Sequence, residues 1–308
     1  MMAKLIDYTV DEAFRRSVDL EEISRLAEIL QRYDLAVFDV YIRHIYSYRR
    51  VIADRKLIDR IRVRVRPDTA DLSLARSMGF SKVAILWSNT LDRMSLFKLE
   101  GALVTAQEFA QEIYLYVEDL APAHTGRFDA YWPLVERYGI ERLVYCDSKS
   151  RLDPLTARSY LTELVGRATC PIEFCATNRL GLATANTLAA LKAGMDYIGV
   201  SVSGVGSKGK AAMEEVLMAV RVLWERTQGP FTGSLAADCE AVLSAMNIPV
   251  PPSKAVIGSG VVAHESGIKS SEEAVLLLER ARRLAEYREL SANDIELMEL
   301  YTRRNDSE

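Results

Sequence analysis

The chain has 308 residues, 49% of them hydrophobic and 27% charged, with a formal net charge of −4 at neutral pH. That balance fits one large globular domain with an appendage, and the acidic pI near 5.7 excludes an electrostatic footprint for nucleic acid. No apolar run is long enough to cross a bilayer, and Met1-Met2-Ala3-Lys4 leads into Leu5-Ile6-Asp7 without the parts of a secretion signal, so a cytoplasmic protein is expected.

Strand-like runs fall at residues 4–10, 35–42, 61–66, 82–87, 112–118, 142–147, 171–177 and 196–202. Amphipathic helical stretches such as residues 20–33 and 182–193 separate them, and the fourth helix reads as short, squeezed between residues 98 and 111. Eight strand–helix repeats argue for an α/β fold, a closed parallel (β/α)8 TIM barrel, over an open doubly wound sheet. The eighth helix ends near residues 224–227, which places the barrel at residues 1–228. Residues 229–308 read as an irregular linker and a short C-terminal helical extension. The linker, residues 229–253, is stiffest at Pro249-Val250-Pro251-Pro252. Ser270 with Glu273 and Ser291 with Asp294 fit helix N-caps, and the stripe Ala274, Leu277, Leu278, Ala281, Leu284 needs a surface to cover, either the barrel or a second subunit. The four cysteines, Cys146, Cys170, Cys175 and Cys239, have no paired spacing, which favours free buried thiols over a disulfide framework or a zinc knuckle.

In such a barrel the chemistry sits at the carboxyl ends of the strands. Those ends carry Asp11 and Glu12, then Asp39, Arg43 and His44, then Arg66, Glu118 and Asp119. Asp147, Ser148 and Lys149 follow strand six, Arg179 follows strand seven, and Lys208 and Lys210 follow strand eight. A local excess of cations in an acidic chain suits a small anionic ligand, a carboxylate or a phosphate. Arg62, Arg64 and Arg66 alternate on one face, and pairing with lumen acids such as Asp39 and Glu173 is the competing use for them. Gly204-Val205-Gly206-Ser207-Lys208-Gly209 matches G-x-G-x-x-G, but the strand and acidic residue that a dinucleotide site needs do not follow. An anion-holding loop and a plain glycine-rich turn both stay open.

Two stretches go beyond pattern: residues 178–191, Asn-Arg-Leu-Gly-Leu-Ala-Thr-Ala-Asn-Thr-Leu-Ala-Ala-Leu, and residues 256–268, Val-Ile-Gly-Ser-Gly-Val-Val-Ala-His-Glu-Ser-Gly-Ile. With Ile6-Asp7, Arg66, Asp71-Leu72 and Ala75-Arg76-Ser77, the chain resembles the homocitrate synthase and 2-isopropylmalate synthase family of DRE-TIM metallolyases, in look most like the homocitrate synthases of nitrogen fixation. The resemblance implies a divalent metal that binds a 2-oxo acid while acetyl-CoA is deprotonated and condensed onto it, with transferase activity in carboxylic acid metabolism. It also implies an Arg-Asp-Gly run at strand one and two metal-binding histidines at strand seven. This chain has Asp11-Glu12-Ala13 at the first place, and Cys175, Thr177 and Arg179 at the second. The family's Gly-Glu-Arg-Ala-Gly-Asn after strand eight is Gly206-Ser207-Lys208-Gly209-Lys210 here, one residue shorter.

The resemblance therefore yields an altered site: Glu12, Cys175 and Thr177 as vestigial metal positions, and no cofactor assigned, where the family would imply a divalent metal and acetyl-CoA. Arg66, His264 and Lys149 are the candidate catalytic groups: Arg66 to steady an oxo group, His264 in the segment linked to acetyl-CoA deprotonation, and Lys149 for a Schiff base, with a solvated loop lysine as its alternative. Asp39, Glu118, Asp147, Arg179 and Lys208 are the candidate substrate-binding groups. The expected partner is a small anionic carboxylate, in a homodimer or a pairing with a homologous chain. The alternative is a non-catalytic partner or regulatory subunit of an intact homocitrate synthase-like enzyme.

Overall fold

The computed structural model describes residues 3–52, 55–88, 92–119, 129–224 and 235–260. Eight parallel strands appear in order: β1 (Lys4–Asp7), β2 (Leu35–Tyr41), β3 (Ile61–Val65), β4 (Lys82–Trp87), β5 (Glu112–Glu118), β6 (Ile140–Asp147), β7 (Ile172–Ala176) and β8 (Tyr197–Ser201). Each pairs with the next, and β8 pairs back onto β1 with Leu5 opposite Ile198 and Asp7 opposite Val200, which closes the barrel. A two-residue strand, β9 (Ala211–Ala212), lies along the far end of β8 opposite Val200 and Ser201. This is the expected (β/α)8 architecture.

Alternation along each strand sorts the side chains into two layers. Ile61, Val63 and Val65 of β3 are fully buried and share their face of the strand, while Arg62 and Arg64 take the opposite, lumen side. Each Å² of apolar surface buried contributes roughly 25 cal/mol, so the aliphatic layer stabilises the barrel.

Three local differences from the sequence expectation have physical causes. First, β1 stops at Asp7 rather than residue 10, because the Asp7 carboxylate accepts the Val10 N–H at 3.0 Å and the Thr9 hydroxyl at 2.6 Å and turns the chain into the helix Thr9–Arg15. Asp11 and Glu12 therefore sit on a helix. Second, the fourth helix is long, Arg93–Gln107, because Asp92 caps it by accepting the N–H groups of Met94 and Ser95. Third, the stretch expected to be irregular contains the helix Leu235–Ala245, whose Leu235, Cys239, Val242 and Leu243 recur at helical spacing and are buried.

The chain divides into two compact units, residues 1–213 and 214–308. In the second, the Lys254 ammonium pairs with Glu214 at 3.4 Å and with Glu215. The calls on Ser270, Glu273, Ser291, Asp294 and the 274–284 stripe lie outside the described residues. Among the described residues no helix is long and apolar enough to cross a membrane.

Asp7 gives a pH test of the barrel. Burial pushes its carboxyl up to about 6, against hydrogen bonds from Thr9 and Val10 that lower it. A raised carboxyl contributes stability below its unfolded value of 3.8 and loses it as pH rises through about 6. Asp7→Asn should therefore gain on the wild type by on the order of 2 kcal/mol between pH 4 and pH 7.5. Urea unfolding at the two pH values measures this; an unchanged difference would contradict it.

Candidate functional site: the floor and rim of the barrel mouth

The lumen is charged. Arg62, fully buried on β3, donates from Nε to Asp39 on β2 at 2.6 Å and forms a two-pronged pair with Glu173 on β7 at 2.6 and 2.8 Å. From β3 a partner on β7 is reached only across the lumen. Arg142 adds a third donor to Glu173 at 3.0 Å. Arg64, one step further along β3, pairs with Asp39 and with Asp11 at 2.6 Å, and His44 Nδ1 lies 2.8 Å from the same Asp11 carboxylate. Burial would raise the Glu173 carboxyl, but Arg62 and Arg142 hold it below its ordinary value; at Asp39 burial wins over Arg62 and Arg64. The competing use of the arginines is therefore what Arg62 and Arg64 do.

Above this layer five side chains form the floor of the mouth. The Lys210 ammonium donates to Cys175 Sγ at 2.9 Å, and the Tyr116 hydroxyl donates to the same sulfur at 3.2 Å. Cys146 stands opposite Cys175 in the β6–β7 register. Lys210 Nζ also lies 4.4 Å from the centre of the Tyr8 ring, and the Tyr8 hydroxyl donates to Glu173 at 3.3 Å. Gly199 on β8 makes room for the group: a Cβ there would come within 2.7 Å of the Tyr8 ring and 3.4 Å of Cys175.

Burial alone would raise the Cys175 thiol. A hydrogen bond with Cys146 and the charge of Lys210 overrule it and hold Cys175 well below the ordinary thiol range. Cys146, hydrogen-bonded to Cys175 and buried, is pushed up and keeps its proton. Lys210, which burial would lower, is raised by the Cys175 charge. Both shifts favour the charged forms of Cys175 and Lys210 over the neutral pair.

A short loop delivers Lys210. Gly204 and Gly209 have φ of 69° and 68°, and a Cβ on either would meet the Lys210 carbonyl or Asn178 at 2.8 Å. The Lys210 N–H donates to the Gly204 carbonyl at 2.9 Å and the Gly209 N–H to the Gly206 carbonyl at 3.1 Å, so the end of the G-x-G-x-x-G run and the residue after it close the turn on itself.

The rim holds most of the other candidates. Arg179 and Lys208 are exposed, and their backbones are tied by Arg179 N–H to Ser150 Oγ and by Asn178 N–H to the Lys208 carbonyl. Arg66 is exposed and paired with Asp68 at 2.9 Å and Asp71 at 3.1 Å. Lys149 is exposed with its ammonium 3.8 Å from Asp119. Glu118 is half-buried at the end of β5. Asp147 is buried and accepts the N–H groups of Arg151 and Leu152 at 2.8 and 3.1 Å, which makes it a cap of the turn after β6. Glu12 is wrapped by Arg15 at 2.6 and 2.7 Å and by Arg16 at 2.8 Å. Thr177 donates to the Asp147 carbonyl at 2.7 Å and shares a hydrogen bond with Ser150. His264 lies outside the described residues.

The structure thus brings Cys175 together with Lys210, Tyr8, Tyr116 and Cys146, and leaves Arg66, Lys149, Arg179 and Lys208 at the surface. Sequence reasoning counted Lys210 only among the cations after strand eight and passed over both tyrosines. The signal available was parity: Tyr114 and Tyr116, Arg142 and Cys146, and Glu173 and Cys175 share lumen positions on neighbouring strands.

A family model described as HMGL-like matches residues 11–233. Among curated relatives, 2-isopropylmalate synthase 2 of Caldanaerobacter subterraneus is 35% identical over 172 residues, covering 54% of this chain and 45% of the relative. Homocitrate synthase 1 of Nostoc is 39% identical over 177 residues, 57% of this chain and 47% of the relative. The matched region spans about half the length of these relatives. Among solved structures, the Bacillus subtilis HMG-CoA lyase superposes with a TM-score of 0.63 at 16% identity, covering 81% of this chain and 95% of that one. At that identity the likeness concerns the fold.

Proposed function

We propose, from the premise that this chain belongs to the HMGL-like family of homocitrate and isopropylmalate synthase-like barrels, that it binds a small carboxylate at the barrel mouth with fixed cations in place of a divalent metal. The observation that carries this reading is the Lys210 ammonium seated on Cys175, at the strand-seven position where the family resemblance implies a metal-binding histidine.

The residues present do not fit a hard divalent ion, which prefers several oxygen ligands. The Glu12 oxygens are taken by Arg15 and Arg16, the Thr177 hydroxyl donates to Asp147, and the Cys175 sulfur faces a positive charge. Among the described residues no three His, Cys, Asp or Glu side chains gather as a metal site. Asp11, at the place of the family's oxo-acid arginine, is turned to Arg64 and His44.

Lys210 carries the attraction for the ligand from the floor, and Arg179 and Lys208 add charge at the rim, while the Arg66 charge is met by Asp68 and Asp71. Asp39 acts by holding Arg62 and Arg64, and Asp147 by fixing the turn that carries Lys149 and Ser150, whose hydroxyl accepts the Arg179 N–H. Glu118 edges the mouth. A second reading, a partner or regulatory subunit of an intact relative, is favoured by the same internal pairing of Asp11 and Glu12. It predicts co-purification with such a chain.

Thermal unfolding with a panel of 2-oxo mono- and dicarboxylates in the presence of a chelator tests the proposal. A saturable rise in Tm that is insensitive to chelator and weakened by salt is the expected result. Stabilisation that appears only on adding magnesium or manganese would contradict it.

A further inference from the structure

The geometry points to a further activity of the same floor: Cys175 is a nucleophile that takes small electrophilic acids covalently, with Lys210 holding both its thiolate and the incoming acid. The sulfur has an ammonium at 2.9 Å, a tyrosine hydroxyl donor at 3.2 Å and a second thiol at the opposed register position. Cys175 is fully buried in a cluster that includes Ile6, Val37 and Val144, yet its sulfur also accepts from two donors, which favour its charged, nucleophilic form. The preference for an acid rests on the carboxylate-binding reading above.

Covalent attack requires access past Lys210, because Cys175 itself is fully buried. Of the groups around the sulfur, Tyr8, Tyr116, Cys146 and Gly199 are buried, whereas Lys210 is partly exposed. Its flexible stem can swing off the sulfur toward the mouth without moving the barrel. An acid arriving there meets the ammonium first and the thiolate behind it.

With a haloacetate, the sulfur lone pair forms the C–S bond while the carbon–halogen bond breaks and the halide leaves with its electron pair. With an α-carbonyl acid, the sulfur adds to the carbonyl carbon and the π pair moves to oxygen. That oxygen takes a proton from Lys210, giving a thiohemiketal and a neutral amine. Both steps balance without an oxidant, reductant or metal.

Iodoacetate and iodoacetamide, of nearly equal size and differing in charge, give the test on the folded full chain near neutral pH, with modified cysteines assigned by peptide mass spectrometry. Cys175 is expected to be the first of the four cysteines labelled. Iodoacetate should react roughly fivefold faster than iodoacetamide, the factor for one unit charge about 4 Å away in a water-like medium. Lys210→Met should slow both reagents and abolish the preference for iodoacetate, while Lys210→Arg should retain it. Labelling of Cys175 only after unfolding, or equal rates for the two reagents in the wild type and Lys210→Met, would overturn the inference. If carboxylates raise Tm equally in wild type and Cys175→Ser while Cys175 stays unlabelled, only the covalent step fails. If no carboxylate raises Tm, the binding reading fails, and the charge preference decides whether the nucleophile stands.

Discussion

Replacing Arg62 by methionine should lower the unfolding free energy by about 3–5 kcal/mol, the range for removing one partner of a buried charge pair. Arg62 is fully buried and joins Asp39 to Glu173 across the lumen. Without it, the two acids must stay charged with fewer partners or take up protons. A carboxyl with an ordinary value of 4.5 costs roughly 3 kcal/mol to protonate at pH 7, which independently reaches the same range. Urea unfolding measures the loss. Glu173→Gln added to Arg62→Met should recover part of it, because the second change removes the stranded charge. A single-variant loss below about 1 kcal/mol would show that the network is not a keystone of the barrel.

Lys210→Met should behave differently: a small change in stability with at least a tenfold loss of carboxylate affinity, about 1.4 kcal/mol. The asymmetry follows from the partner. When the ammonium goes, Cys175 can take a proton, and a thiol with an ordinary value of 9.0 is already protonated at neutral pH, so no stranded charge remains. The methionine fills the space of the lysine stem against the Tyr8 ring. Isothermal titration with the best carboxylate of the panel, beside urea unfolding, reads both quantities. Unchanged affinity would remove Lys210 from the binding account; a loss of several kcal/mol in stability would recast it as a structural lysine.

The barrel was legible because its signal is local and repeated: eight apolar runs of strand length separated by amphipathic helices. Errors fell where one side chain redirects the backbone. Asp7 ends β1 by accepting two hydrogen bonds, and Asp92 starts a helix earlier than hydrophobic periodicity suggests. At the site, the oddity of Cys175, Thr177 and Arg179 rests on the family resemblance and not on periodicity or spacing. The pairing of Arg62 with Glu173 could be framed only as one of two uses, since contacts across a lumen depend on strand order and register together. The Cys175–Lys210 contact lay furthest from reach. It depends on a shortened loop in which Gly204 and Gly209 adopt positive φ and deliver a lysine to a sulfur 35 positions earlier in the chain.

The proposed function requires the Lys210 ammonium to take the place at which the family resemblance implies a divalent ion. Metal content of the purified full chain, followed by calorimetric titration with manganese and magnesium, tests it most directly. The expected result is no stoichiometric divalent metal and no saturable heat with either ion, with carboxylate binding unchanged by chelator. One ion per chain, lost in Glu12→Gln or Cys175→Ser, would contradict it.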